Sequence, residues 1–417
     1  MPDPEPSPIL LRGQALRAAK GFRGGTHRLV SPEETLARIL PILPRLGVTR
    51  LANITGLDRI GIPVVLAHRP NAATLANGGG KGVTLVAAKV SAGMEAIEVQ
   101  HAETPTLPFV ECPYDALPAE TRMATDGLGG MRAGLFRPDL PEAWVTGWDL
   151  LGQREIAVPW NSVFMVPSPL RGTRQLITMT TNGLASGNHL LEAMAAALYE
   201  VIERDAASCT LHAEQASRKP VPRIDLHSST HPVILPLMAQ FARAGIEPLL
   251  FDRTSDLGVP AFECVIYDKE MRHFGLGRGY GCHLDPAVAA SRALTEAVQG
   301  RGVMVAGSRD DFFQRDMRAT QLADAGAEIA QLEARPATIG LDYYPNRSTA
   351  SFEGDVGILL EALRGAGIDQ VIAFDLTKPE IGIPVVKIVV PALEGFHIDF
   401  YAPGRRAKAH AERAQAA

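Results

Sequence analysis

Cysteine is scarce in this chain. Its four cysteines, Cys112, Cys209, Cys264 and Cys282 in 417 residues, form no CxxC pair and sit at gaps that suit no zinc site. So few in so long a chain are not expected to build a disulfide framework, which points to a reduced, cytoplasmic protein. Long apolar runs are missing too: no stretch approaches the ~20 residues of a membrane helix. The opening Met1-Pro2-Asp3-Pro4-Glu5-Pro6 lacks the basic and apolar regions of a signal peptide. Charge of one sign is also lacking. A formal net charge of -5 is too mild for electrostatic capture of nucleic acid, which shows as a strong basic patch. The basic tail Arg405, Arg406, Lys408, Arg413 reads as a frayed, solvated terminus.

Several catalytic signatures are absent as well. There is no HExxH and no GxSxG, and no GxGxxG follows a strand, so zincin, hydrolase and dinucleotide-binding readings lack support. Asn77-Gly78-Gly79-Gly80-Lys81-Gly82-Val83-Thr84 only approaches a phosphate loop. A Walker A motif needs Gly six residues before the Lys and Ser or Thr directly after it; here Leu75 and Gly82 stand there. A glycine-rich turn near a helix start is still a candidate for anion binding.

What is present is an ample core composition, 46% hydrophobic, in a chain long enough for one large domain or two ordinary ones. Residues 1–19 read as a Pro-rich, then variable, mobile arm. Ser31-Pro32-Glu33-Glu34 is a capping box with Pro at the first helical position, predicting a helix from there to about Leu46 that stops at Gly47. Strands are expected at 62–66, 175–180, 260–267, 371–376 and 385–390, with short strands and loops over 105–165. Helices are expected at 85–103, from Asn188 as N-cap onward, and near 232–243, 286–304, 316–332 and 356–365. The pattern predicts a mixed α/β fold: an N-terminal extension with a helix over 1–60, one α/β domain over 61–405, and a polar tail over 406–417.

Three helices carry the chemistry. Ser91, Glu95 and Glu98 are three and four apart and share one face; two carboxylates so placed can hold a divalent cation, although a solvated acidic stripe would look the same. On the second helix Glu192 and Glu203 fall within about 20° of each other and Glu200 about 80° away. Leu191, Met194, Leu198 and Ile202 lie on the far side, facing the core. Ala195 and Ala196 leave room for a ligand, and the acidic face lacks the lysines that usually balance an exposed helix. The third stripe is Arg292, Glu296 and Gln299, at i, i+4 and i+7; alone it reads equally as a surface ion pair. Arg301 points away from it if the helix continues past Gly300. His27, His68, His189 and His283 read as structural or surface histidines, with no second ligand at metal spacing.

Together, Gly56–Val64, Asn77–Gly82, Ser91–Glu98, Gly183–Ala206 and Arg292–Arg301 resemble the YcaO family over nearly the whole chain. The resemblance implies a YcaO-type domain that binds ATP without a P-loop, with Mg2+ held against the phosphates. It implies Glu95, Glu98, Glu200 and Glu203 as metal ligands, and Ser91, Ser186, Asn188 and Glu192 as nucleotide contacts. Arg204, Glu296, Gln299 and Arg301 would contact phosphates or complete the metal shell. Lys81, in the glycine-rich segment, and Lys20 and Thr26, in Lys20-Gly21-Phe22-Arg23-Gly24-Gly25-Thr26, would bind the cofactor too. One departure is Val99, where the family often has Arg after its second Glu; Arg23 or Arg28 would then supply the charge.

The resemblance is nearest to the branch that partners TfuA proteins, linked to peptide thioamide formation. Azoline-forming cyclodehydratases of the family tend to end in a Pro-rich tail, unlike Tyr401-Ala402-Pro403-Gly404-Arg405-Arg406 and the Ala-rich stretch after it. Azoline formation and an accessory role in ribosomal protein methylthiolation are the alternatives. The implied partners are a peptide or protein substrate and a TfuA-like protein, with a homodimer left open and neither nucleic acid nor membrane expected.

Overall fold

A computed structural model describes residues 6–125, 136–170, 177–271, 276–308, 325–395 and 402–416. Two small hairpins open the chain, β1 (Ile9–Leu11) with β2 (Gln14–Leu16) and β3 (Phe22–Arg23) with β4 (His27–Arg28). The first is no loose arm: Ile9, Leu11 and Leu16 are buried in the core, because apolar side chains alternate inward there. Helix α1 (Pro32–Ile39) has the expected capping box at Ser31, but it ends at Ile39; a separate 3-10 turn, Leu43–Leu46, carries the chain to Gly47.

A three-stranded antiparallel sheet follows, β5 (Arg50–Asn53), β6 (Val64–His68) and β7 (Asn77–Lys81), and then α2 (Leu85–Glu103). The glycine-rich segment is therefore strand β7, not a turn. The reason is steric. A Cβ on Gly80 would stand 2.2 Å from the backbone N of Ala92 and 2.3 Å from the carbonyl of Ala88, so only glycine lets α2 lie directly on the strand.

The same device recurs later. A five-stranded sheet has the order β15-β14-β13-β12-β16, from β12 (Arg223–Asp225), β13 (Ile246–Asp252), β14 (Ala261–Asp268), β15 (Gly277–Cys282) and β16 (Ala337–Gly340). Its strand β15 leads into a helix, Pro286–Ala306. A Cβ on Gly279 would stand 2.2 Å from the backbone N of Ala297 on that helix. Both times an antiparallel meander ends in a glycine-rich strand covered by the alanine-rich helix that follows it.

The third sheet runs β10-β9-β17-β18-β11, with β8 also on β9; its strands are β8 (Phe109–Pro113), β9 (Pro141–Asp149), β10 (Arg154–Pro159), β11 (Leu184–Ser186), β17 (Ile372–Asp375) and β18 (Val385–Val389). Of the strand expected at 175–180, the described part, 177–180, holds only a single bridge residue at Ile177, and 175–176 lie outside the described residues. After α3 (Trp160–Val163), the 28-residue α4 (Leu190–Ser217) runs through the centre. Its N-cap is His189, which accepts from the Leu191 N–H, not Asn188. Leu191, Met194, Leu198 and Ile202 are fully buried, as the periodicity required.

The remaining helices are α5 (Ile234–Ala244), α6 (Pro286–Ala306), α7 (Gly326–Glu333), α8 (Phe352–Gly365) and α9 (Arg405–Ala416). Most of the helix expected near 316–332 lies outside the described residues. The basic tail is not frayed: α9 packs on α4, and Arg406 reaches the fully buried Asp205 with two 2.9 Å contacts. Among the described residues no helix is long and apolar enough to cross a membrane.

Candidate functional site

Helices α2, α4 and α6 turn their charged stripes toward one cavity of about 1440 Å³. From α2 come Ser91, Glu95 and Glu98; from α4 come Glu192, Glu200, Glu203 and Arg204; from α6 come Arg292, Glu296 and Gln299. Lys81, Ser186, Asn188, Thr26 and Arg28 also line it. The stripes are brought together because the opposite faces of the helices are apolar and buried.

Hydrogen bonds set the carboxylates. Ser186 donates its backbone N–H and its hydroxyl to Glu98 Oε1 at 2.7 and 2.6 Å. Glu192 is buried and accepts at Oε2 from the Leu29 N–H at 3.1 Å and the Asn188 N–H at 3.3 Å. The Asn188 side chain donates to Thr35 at 3.0 Å, tying α4 to α1. Arg204 pairs with Glu200 at 2.9 Å, and Lys81 pairs closely with Glu296.

The carboxylates repel. Burial pushes Glu98 up to about 8; Glu95 and Glu200 add to the rise, and the Ser186 hydrogen bonds oppose it. Burial, then Glu296 and Glu200, push Glu203 up to about 7. Burial also acts to raise Glu296, but Lys81 and Arg292 outweigh it and hold that group below the usual carboxylate value. Glu200 thus acts on both Glu98 and Glu203, as expected of groups around one space.

The residues fit Mg2+ and a phosphate chain. Glu203 Oε2, Gln299 Oε1 and Arg292 Nε are buried without a hydrogen-bond partner among the described residues, and all three residues line the cavity. Orphaned groups of this kind are costly unless a ligand completes them. Hard carboxylate oxygens are the donor type that Mg2+ takes, and Lys81, Arg28, Arg204 and Arg292 supply positive charge around them.

Two expected site residues lie elsewhere. Helix α6 continues past Gly300, so Arg301 faces the other way and donates to Asp58 at 2.8 Å, with Asp268 at 3.8 Å. It fastens the Gly56–Val64 segment to α6 instead of reaching the cavity. The Lys20 side chain is buried, paired with Asp355 at 2.5 Å and with His27 Nδ1 at 3.2 Å. Around it His27 and His283 pack edge to face, and Tyr199 donates to Asp355 at 2.9 Å. His27, His283 and Asp355 stand close enough to share a metal, but the Lys20 ammonium already serves as the cation among them. This cluster anchors the β3–β4 hairpin, whose Thr26 and Arg28 reach the cavity.

Val99 lines the cavity without charge, and Arg28 lines the same cavity, 3.8 Å from Glu192. Arg23 instead donates to the Thr349 carbonyl. Arg292 received no role from the sequence although its spacing to Glu296 and Gln299 was visible. Arg278 carried no local signal, since β15 reaches the cavity only through the fold.

Comparison with known proteins identifies the family. Residues 79–394 match the family described as YcaO cyclodehydratase, ATP- and Mg2+-binding. An uncharacterized protein of Methanothermobacter thermautotrophicus is 38% identical over 392 residues, covering 90% of this chain and 97% of that one. An uncharacterized protein in the tfuA 3' region of Rhizobium leguminosarum bv. trifolii is 33% identical, over 92% of each. Among solved structures, YcaO from Methanopyrus kandleri bound with AMPPCP and Mg2+ has a TM-score of 0.71 at 23% identity, covering 93% of this chain and 100% of that one. A heterocyclase in complex with substrate and cofactor has a TM-score of 0.80 at 23% identity over 94% of this chain, which spans only 55% of the heterocyclase. The chain belongs to the YcaO family, whose domain binds ATP and Mg2+.

Proposed function

We propose that this protein uses ATP to activate a backbone amide of a peptide or protein for thioamide formation, together with a TfuA-like partner. The observation that carries the reading is the convergence of the α2, α4 and α6 stripes on one cavity where carboxylates alternate with Lys81, Arg204 and Arg292. An amide oxygen is a poor leaving group; magnesium-bound ATP supplies the phosphoryl group that makes it a good one after sulfide has added to the carbonyl carbon.

In this reading Glu95, Glu98, Glu200 and Glu203 hold the metal. Lys81, Arg204, Arg292 and Gln299 orient and neutralise the phosphates, with Glu296 positioning Lys81. Ser91, Ser186, Asn188, Glu192 and Thr26 position the nucleotide. No nucleophilic side chain is required, in keeping with the absence of a GxSxG motif. The relative beside tfuA supports the choice of partner. Likeness to a heterocyclase favours a second reading, azoline formation from Cys, Ser or Thr.

The test is reconstitution with ATP, Mg2+, a peptide, sulfide and the TfuA-like protein. Phosphate release with exchange of one peptide oxygen for sulfur supports thioamidation. Loss of one water from a Cys-, Ser- or Thr-containing peptide, without sulfide, selects the azoline reading. Absence of phosphate release under every combination overturns both.

A further inference from the structure

The cavity is larger than one small ligand needs. Its volume of about 1440 Å³ exceeds the roughly 300–1,000 Å³ of ordinary small-molecule sites. Its lining is also divided. The carboxylates come from α2, α4 and α6, and their basic partners from α4 and α6, from β7 (Lys81) and from β4 (Arg28). Another stretch of wall is apolar: Val83 before α2, Val233 and Leu237 at the start of α5, and Val303 late in α6. Gly25, at the tip of the β3–β4 hairpin, lies against both Val83 and Val233. Leu237 and Val303 belong to one buried cluster, so the wall is continuous with the core.

Its outer rim is open. Val83 is 36% exposed, and Pro232 and Pro236 are exposed too. Apolar surface left in contact with water at the mouth of a charged cavity marks a binding surface. One polar group sits among these residues. Gln240 lines the cavity one turn after Leu237, and its buried Oε1 has no hydrogen-bond partner among the described residues. A buried carbonyl oxygen without a donor is costly, and a backbone N–H is a donor that every peptide offers.

We infer that the wall formed by Val83, Val233, Leu237 and Val303, with the Gln240 amide, is the subsite for the peptide substrate. It takes an uncharged aliphatic side chain next to the amide that is modified, and Gln240 accepts a backbone N–H of the same peptide. The inference rests on the amide-activation reading above and names the substrate class for it. The nucleotide is assigned to the Ser186–Asn188–Glu192 end, where α1 and α4 are tied together by the Asn188–Thr35 hydrogen bond.

The experiment uses the full chain with methyl-labelled Leu and Val, loaded with Mg2+ and AMPPCP. The probes are the blocked tripeptides Ac-Gly-Leu-Gly-NH2 and Ac-Gly-Asp-Gly-NH2. The Leu peptide is expected to shift the methyl signals of Val83, Val233, Leu237 and Val303 and to bind roughly tenfold more tightly than the Asp peptide. Val233→Asp and Gln240→Leu should each weaken the Leu peptide at least about fivefold; because Gln240→Leu keeps a side chain of similar size and adds apolar surface to the wall, weaker binding reports the missing acceptor. Equal affinity for the two peptides, shifts confined to other methyls, or no shift at all overturns the subsite. So does perturbation of the same four methyls by Mg2+-AMPPCP alone, which would place the nucleotide there. Failure of Mg2+-AMPPCP to bind in calorimetry is a separate outcome that overturns the amide-activation reading and the subsite with it.

Discussion

Ser186 gives both of its donors to a single oxygen of Glu98, its backbone N–H at 2.7 Å and its hydroxyl at 2.6 Å. The two residues are far apart in sequence, and this contact fixes the acidic stripe of α2 against the strand that leads into α4. It also leaves the other Glu98 oxygen for a ligand.

Ser186→Ala removes the hydroxyl and keeps the backbone bond. A hydrogen bond to a charged group contributes about 1.5–3 kcal/mol, so affinity for Mg2+-AMPPCP should fall roughly tenfold or more. Calorimetry on the two proteins measures it, and equal affinities would mean that Glu98 needs no support from Ser186.

The raised carboxylates give a pH dependence with a definite sign. Burial and neighbouring glutamates hold Glu98 near 8 and Glu203 near 7, above the ordinary value of 4.5. Between 4.5 and those values the folded chain binds more protons than the unfolded chain, so the stability these groups contribute is full below 4.5 and is lost as pH rises through 7 and 8. The ligand-free protein should melt at a lower temperature at pH 8.5 than at pH 6, and Mg2+ with AMPPCP should raise the melting temperature more at the higher pH. Glu203→Gln should flatten the ligand-free profile and abolish the Mg2+-dependent rise. A Gln variant that keeps the full rise would remove Glu203 from the metal shell.

Arg406 reaches Asp205, which is fully buried on α4, and also Asp256 at 2.6 Å. Removing one partner of a buried ion pair costs about 3–5 kcal/mol, because the other charge stays buried and unpaired. Arg406→Ala should therefore lower the urea midpoint markedly. A change within about 0.5 kcal/mol, ordinary for a surface position, would show that α9 is dispensable.

Gly80→Ala puts a methyl group 2.2 Å from one backbone atom of α2 and 2.3 Å from another. Backbone cannot move aside as a flexible side chain can. The expected cost is about 3 kcal/mol, the upper end of overpacking, read as a lowered melting temperature. Gly13→Ala is the comparison: its added Cβ would meet nothing within 4 Å, although its φ of +81° carries its own strain. A smaller loss at Gly80 than at Gly13 would mean that α2 can lift from β7.

The sequence alone determined the three motif helices and their faces. The 3.6-residue period of Leu191, Met194, Leu198 and Ile202 decides which side of α4 is buried, and so where Glu192 and Glu203 must point. The capping box at Ser31 was equally local, and it stands in the structure. The family was legible for the same reason, since each of its motifs is a short run of neighbouring residues. Only the tertiary structure decided whether the acidic stripes meet a ligand space or face water, because helical spacing is identical in the two cases. It likewise decided Lys20, drawn into a buried pair by Asp355, and Arg301, turned toward Asp58 by one further turn of α6. Burial of a charge depends on a partner distant in sequence, and no local pattern of residues carries that information.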